Sequence, residues 1–311
     1  MDINSSIYVA GHRGLVGSAL IELLKKLGYK NIICATSKEL DLRNQADVYN
    51  FFEQKKPEYV VLSAAKVGGI THNDTYSGEF IRDNLLIQTN VIDAAYKNNC
   101  KKFCFLGSSC IYPKNSNCPI KESEILNGKL ESTNQSYALA KLAGIEMINA
   151  YKKQYGFNGY SLMPTNLIGF NDNFSEGSHV FPALIKKIYN AKKNNEDTIT
   201  LYGTGIARRE FLNSKELAKA IVYTMQIEKT PELINVGVGK DISIKDLIEL
   251  MCEVLAYKGT IKYDNSKPDG TLRKVLDVSL LESLGFKAEN NLKKDIKEIY
   301  NWYSLNQNKK C

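Results

Sequence analysis

The chain has 311 residues, 43% hydrophobic and 24% charged, enough to bury a large core and unlike a disordered or fibrous protein. Its net charge of +7 comes from scattered lysines, often paired near expected helix ends (Lys25-Lys26, Lys152-Lys153, Lys186-Lys187, Lys192-Lys193). This excludes a nucleic-acid footprint and leaves a solvated surface, or a positive cleft for a phosphorylated small molecule. Seven cysteines without a Cys-x-x-Cys and only three histidines point away from a disulfide framework and a metal centre. No signal peptide and no membrane-spanning run is expected, which makes the cytoplasm the expected compartment.

In chain order, Ile7-Tyr8-Val9-Ala10 reads as a short strand, Gly11-His12-Arg13-Gly14-Leu15-Val16-Gly17 as a turn, and 18–27 as a helix with Ala19, Leu20, Leu23, Leu24 and Leu27 apolar. Strand, glycine turn and helix are the context in which a glycine motif binds a dinucleotide. Gly11 permits the tight turn, Gly14 lets a pyrophosphate approach the backbone, and Gly17 lets helix pack on strand. The alternation continues with strands at 31–36, 58–62 and 102–106 and helices at 45–53 and 84–97. Such alternation predicts parallel pairing with right-handed crossovers. The expected fold is therefore α/β, a Rossmann-type doubly wound parallel sheet over residues 1–165.

The stretch from Gly107 to Lys141 carries the chemistry. Ser108 and Cys110 are two apart on what reads as an extended exit from a strand, so their side chains point the same way. Tyr137 and Lys141 are four apart inside a helical pattern, one turn from each other on one face. Hydroxyl, thiol, phenol and ammonium can thus converge where ligands bind in such sheets, at the carboxyl ends of the strands. Taken alone, Tyr-x-x-x-Lys is more often a packed tyrosine beside a solvated lysine. For the cofactor, the end of the second strand reads Thr36-Ser37-Lys38, with Glu39 further along, where NAD-specific folds place a carboxylate. Arg13 lies inside the glycine loop, within reach of a 2′-phosphate. NADP(H) is the expected cofactor.

Beyond 165 the alternation loosens. Helices are expected at 178–191, 214–226, 244–255 and 292–303, and strands at 198–202, 233–238 and 260–263. These pieces predict a smaller C-terminal α/β substrate lobe over 166–311, with some segments returning to the sheet. Lys187, Arg208 and Arg209 would suit a diphosphate; an ion pair with Glu210 is the plain alternative for Arg209.

The glycine pattern, the serine and Tyr-x-x-x-Lys together resemble the extended short-chain dehydrogenase/reductases. Seven stretches in order resemble the GDP-L-fucose synthase family within them, the GDP-4-keto-6-deoxymannose 3,5-epimerase/4-reductases. They begin at Ala10, Ala64, Leu106, Met163, Ser178, Arg209 and Lys267. The resemblance implies Ser108, Tyr137 and Lys141 as the reductase set, with Cys110 and His179 as epimerisation base and acid. It implies cofactor contacts at Gly11, His12, Arg13, Gly14, Leu15, Val16, Gly17, Ser37, Asp41, Leu42, Ala64, Leu106, Gly107, Lys141, Pro164, Asn166, Leu167 and His179. Substrate contacts are implied at Lys187, Tyr202, Arg209 and Asp269. The chain departs from the family where Lys187 and Tyr202 replace Arg and Trp, at Ile168-Gly169-Phe170, at Ser37 in place of Arg, and in a loop before His179 one residue shorter. The departures bear on the sugar and the 2′-phosphate.

The expected reaction has NADPH deliver hydride to a sugar C4 ketone. Tyr137 donates the proton, Ser108 holds the carbonyl oxygen, and Lys141 lowers the phenol pKa and holds the nicotinamide ribose. Three activities stay open: a bifunctional GDP-4-keto-sugar epimerase/reductase, a C4-reductase alone on a related hexose or heptose, and a non-catalytic NADP-binding regulator. A two-fold homodimer through the Tyr137 helix is expected, with Leu142, Ile145 and Ile148 facing outward.

Overall fold

β1 (Ile7–Ala10) is buried at every residue, as a strand covered on both faces must be. The computed structural model describes residues 1–175, 177–266 and 270–308. After β1 come α1 (Leu15–Lys26), β2 (Ile32–Ile33), α2 (Gln45–Lys55), β3 (Tyr59–Leu62), α3 (Ile70–Thr75), α4 (Ser77–Lys97), β4 (Lys102–Leu106), α5 (Gln135–Tyr155) and β5 (Gly159–Pro164). β4 and β5 are also wholly buried. The second half runs β6 (Asn166–Ile168), α6 (Val180–Asn194), β7 (Thr198–Tyr202), β8 (Arg208–Arg209), β9 (Phe211–Asn213), α7 (Ser214–Gln226) and β10 (Leu233–Val236). It ends with β11 (Ile242–Ser243), α8 (Ile244–Val254), β12 (Thr260–Asp264), β13 (Arg273–Lys274), α9 (Ser279–Ser283) and α10 (Leu292–Asn308).

Among the described residues the main sheet has the order β10-β5-β4-β3-β1-β2, every neighbour parallel. The chain leaves β1 outward to β2 and crosses back to β3. Its order therefore reverses between β1 and β3, which opens a crevice at their carboxyl ends. One face of the sheet is covered by α2, α4 and α5, with Phe52, Val91 and Ile148 on Phe103 and Phe105. The other is covered by α1 and α7, with Leu20, Leu24, Leu217 and Ile221 on Val9 and Val61. Both β10 and α7 thus come from beyond residue 165 and complete the sheet. A third core, Leu184, Ile188, Leu247, Ile248, Ile296 and Ile299, joins α6, α8 and α10 into the smaller lobe.

Several expectations shift. α4 starts at Ser77 rather than 84, because Asp83, Asn84, Gln88 and Asn90 are buried polar residues that hide the apolar period. α3 was not expected. Leu142, Ile145 and Ile148 do not face outward; all three belong to the core between α5 and the sheet. The exposed apolar residues of this pair of helices are Leu86 on α4 and Leu139 and Tyr155 on α5.

Candidate active site

The glycine loop makes a cradle at the carboxyl end of β1. Gly11 has φ +84°, and a Cβ there would stand 2.7 Å from the Ala64 nitrogen. A Cβ on Gly17 would stand 2.2 Å from the Gly11 carbonyl oxygen, so only glycine lets α1 approach the turn this closely. The N-cap of α1, Gly14, makes no side-chain hydrogen bond, and the first turn holds no acidic residue. A helix terminus with its amides left to a ligand suits a diphosphate. Ala64 closes this cradle from the side of β3. Asp41 is engaged by Arg43, whose Nε and Nη2 donate to it at 2.9 and 2.8 Å and hold its carboxyl below the usual range. Leu42 packs on the core, and its carbonyl oxygen accepts from Asn90 Nδ2 at 2.9 Å.

At the end of β4, Leu106 and Gly107 lead into Ser108. The exit is not extended: Ser109–Ile111 is a single 3-10 turn capped by Ser108 Oγ, which accepts from the Cys110 amide at 3.2 Å. The turn still brings Ser108 and Cys110 close to one phenol, near enough for both to act on the Tyr137 pKa. Burial, helped by Cys110, pushes the Tyr137 phenol well up, and Ser108 pulls it partly back. Lys141 is 3% exposed; its Nζ donates to the Leu106 carbonyl oxygen at 2.7 Å and stands 5.9 Å from the Tyr137 ring centre. Burial pulls its pKa down to about 7. Burial is the largest influence on the phenol, and Ser108 opposes it. What the arrangement offers is a phenol kept protonated by burial, near the Ser108 hydroxyl, over a buried lysine whose pKa burial pulls down to about 7.

His179 is the N-cap of α6 and makes no side-chain capping bond. The residue is exposed, yet the protein around the ring lowers its pKa by desolvation. A Cβ on Gly69 would stand 2.0 Å from the Gly177 carbonyl oxygen, so the loop into His179 lies directly on the Gly68-Gly69 ribbon that follows β3. Pro164 ends β5 and Asn166 opens β6, where Asn166 Nδ2 donates to the Glu210 carbonyl oxygen at 2.9 Å. Leu167 packs against the core beneath α1 and α7.

On the far side, Lys187 donates to the Thr200 carbonyl oxygen and stands 5.2 Å from the ring centre of Tyr202, which is 69% exposed. Burial lowers the Lys187 pKa. Arg209 Nη1 donates to the Arg208 carbonyl oxygen at 2.8 Å. Glu210 is buried and accepts from the amides of Val238, Gly239 and Leu276. Arg208 is spent on Asp241 at 2.8 Å, with Arg273 on the other oxygen, so its expected diphosphate role gives way to bracing the β11-β8-β13 sheet. Asp269 lies outside the described residues.

Residues 7–237 match the NAD dependent epimerase/dehydratase family. The chain belongs to that family. It is 49% identical to GDP-L-fucose synthase 1 of Arabidopsis thaliana, over 98% of this chain and 95% of that one. It is 42% identical to the GDP-L-fucose synthase of Escherichia coli (strain K12), over 97% and 98%. Its structure is similar to a GDP-mannoheptose C4 reductase of Campylobacter jejuni solved with NADP bound, with TM-score 0.89 and 38% identity over 98% and 99%.

Two features of this epimerase/dehydratase-family chain escaped the sequence reading. Glu39 folds back so that its Oε2 accepts from the Thr36 amide at 2.7 Å, and it senses the charges of Arg13 and His12. The Thr36 bond holds its pKa below the usual range, and its carboxylate is near enough to the glycine loop for Arg13 and His12 to help. The legible signal was the capping-box spacing Thr36-x-x-Glu39. The second is Asn73 on α3, buried with its Oδ1 unpartnered, for which a single amide in an unpredicted short helix gave no signal.

Proposed function

We propose that this protein binds NADP(H) along Gly11–Gly17 and reduces the C4 ketone of a GDP-4-keto sugar. The observation that carries the reading is the convergence of Ser108, Cys110 and Tyr137 at the carboxyl end of β4, with Lys141 anchored beneath them by its bond to Leu106. It is supported by relatives named for GDP-sugar chemistry and by a neighbour solved with NADP. The α1 terminus would take the diphosphate, and Arg13 with Ser37 the 2′-phosphate. Lys187, Tyr202 and Arg209 would take the nucleotide end of the sugar donor, with residues 1–165 as the dinucleotide-binding unit, β10 and α7 returning to it, and the rest of 166–311 as the substrate lobe.

Bound NADPH supplies hydride to C4. Ser108 Oγ–H holds the ketone oxygen and stabilises the charge developing there. Tyr137, kept protonated by burial, gives that oxygen its proton. Lys141 fixes the depth of the phenol through its bond to Leu106 and supplies a positive charge below about pH 7. Epimerisation at C3 and C5 is read from Cys110, which lies beside the phenol: the ketone acidifies the neighbouring hydrogens, the thiolate takes one, and His179 returns a proton on the other face. The alternative is a C4-reductase alone, on a hexose or heptose; Lys187 and Tyr202 in place of the commoner pair favour a different sugar. An intact Ser108, Tyr137 and Lys141 set speaks against a purely regulatory role.

The protein acts in the cytoplasm as a homodimer, its contact the α4–α5 face bearing Leu86, Leu139 and Tyr155. Incubation with GDP-4-keto-6-deoxymannose and NADPH, followed by mass spectrometry, tests the activity. A product two mass units heavier than the ketone is expected, and an unchanged substrate would refute it.

A further inference from the structure

Glu210 lies between β8 and β9 and is fully buried. Its Oε1 accepts from the amides of Val238 at 2.5 Å and Gly239 at 2.7 Å, and its Oε2 from the Leu276 amide at 2.9 Å. These donors stand on the two segments that flank β8. Ile242 of β11, just after Gly239, pairs with Arg209, and so does Lys274 of β13, just before Leu276. The main chain of Glu210 meets the cofactor side instead. Its carbonyl oxygen accepts from Asn166 Nδ2 at 2.9 Å and Thr165 Oγ1 at 3.4 Å. A Cβ on Gly237 would stand 2.2 Å from Glu210 Oε1, so glycine at that position leaves the carboxylate its place.

A carboxylate out of water is costly unless donors meet it, and bonds from amides to an ionised group are among the stronger in a protein. What these bonds fix is the frame around Arg209. Arg209 Nη1 donates to the Arg208 carbonyl oxygen at 2.8 Å, and its Nη2 would stand 3.6 Å from a Cβ on Gly270. The guanidinium therefore lies against the strap that leads into β13, the strand whose far end Glu210 holds. In the proposed reading, on which this inference rests, that guanidinium takes the nucleotide end of the sugar donor. We propose that Glu210 is a positioning residue for Arg209. By tying the 238–239 and 276 amides to one carboxylate, it holds both neighbouring strands against β8 and fixes where the guanidinium meets the nucleotide diphosphate. Being fully buried, it does not touch the nucleotide itself.

The test uses GDP and NADPH as probes. Calorimetric Kd values for both would be measured on the full chain, on Glu210→Gln, on Arg209→Ala and on the double variant, with Tm as a control. Glutamine keeps the shape, but its amide nitrogen cannot accept, so at least one backbone donor loses its partner. Arg209→Ala should weaken GDP by about ten- to a hundred-fold, the weight of a hydrogen bond from a charged group. Glu210→Gln should weaken GDP by about three- to ten-fold and leave NADPH within a factor of about two. In the Arg209→Ala background it should cost nothing further, because the group it positions is gone. If Glu210→Gln does not fold, Gly237→Ala, which presses on the same carboxylate, is read in the same way. GDP affinity unchanged by the substitution, or a loss that adds in full to that of Arg209→Ala, would overturn the inference and leave the reading of the site intact. Unchanged GDP affinity in Arg209→Ala, or a wild type that binds no GDP, would overturn that reading, and this inference with it.

Discussion

Lys141 Nζ donates its hydrogen bond to the carbonyl oxygen of Leu106, at 2.7 Å, rather than to the phenol of Tyr137 one helical turn away. The last residue of β4 thus clamps α5 to the sheet, and the buried Lys141 nitrogen sits over the Tyr137 ring, 5.9 Å from its centre. The phenol is left protonated, which is the form that reduction needs.

Tyr137→Phe removes that proton and keeps the ring. Reduction should fall by roughly 10²- to 10⁴-fold, the usual weight of one general acid. The Kd for NADPH, read by fluorescence, should stay within a factor of about two. A variant that reduces its substrate at near the wild-type rate would move the acid to another group.

The pH profile follows from Lys141. Burial lowers its pKa to about 7, so the charged form is present below that pH and lost above it. Reductive kcat/KM should therefore decline above about pH 7 if the ammonium is needed, and Lys141→Arg should carry the decline to higher pH. Stability moves in the opposite sense. Between about 7 and the ordinary 10.5 the unfolded chain holds a proton that the folded chain has released. Unfolding free energy from this residue then rises with pH over that window, and Lys141→Met should flatten the rise.

In the proposed reading, cofactor choice rests on two opposite charges near the glycine loop, Arg13 and Glu39. Arg13→Ala should weaken NADPH by roughly ten- to a hundred-fold and leave NADH nearly unchanged, the weight of a charge-assisted hydrogen bond. Glu39→Gln should act the other way, widening the preference for NADPH by removing a negative charge near Arg13. Equal kcat/KM for the two cofactors in the wild type would contradict the assignment.

The parts of this picture written in local pattern were legible before any coordinates. Ile7 to Gly17, with glycine at 11, 14 and 17, predicts strand, turn and helix without help from distant residues. Tyr137 and Lys141 needed only helical spacing. What escaped depends on tertiary contact. Leu142, Ile145 and Ile148 look surplus on a helix until β4 and β5 are placed against them. Asp83, Asn84 and Gln88 are buried because partners elsewhere satisfy them, among them Lys66 and the Ala140 carbonyl oxygen, and no period can announce that. Arg208 reads as a phosphate ligand in the chain and becomes a strut only when Asp241 is folded beside it.

Epimerisation separates cleanly from reduction. With Cys110 and His179 as base and acid, solvent deuterium should enter C3 and C5 of the keto sugar without any NADPH, since the ketone alone acidifies those hydrogens. Cys110→Ser should lose the exchange, because a hydroxyl ionises far less readily than a thiol. It should still reduce a substrate already epimerised. Normal reduction with no deuterium at either carbon would make the protein a C4-reductase alone.

The central claim is hydride transfer from NADPH to C4 of a GDP-linked keto sugar at the Ser108, Tyr137 and Lys141 site. The most direct measurement is a single incubation of the wild type with GDP-4-keto-6-deoxymannose and NADPH deuterated at nicotinamide C4, the product read by NMR. One deuterium at sugar C4, gained in step with oxidation of the cofactor and lost in Tyr137→Phe, is the predicted result. Cofactor oxidation without label at C4, or no turnover of any GDP-4-keto hexose or heptose offered, would contradict it.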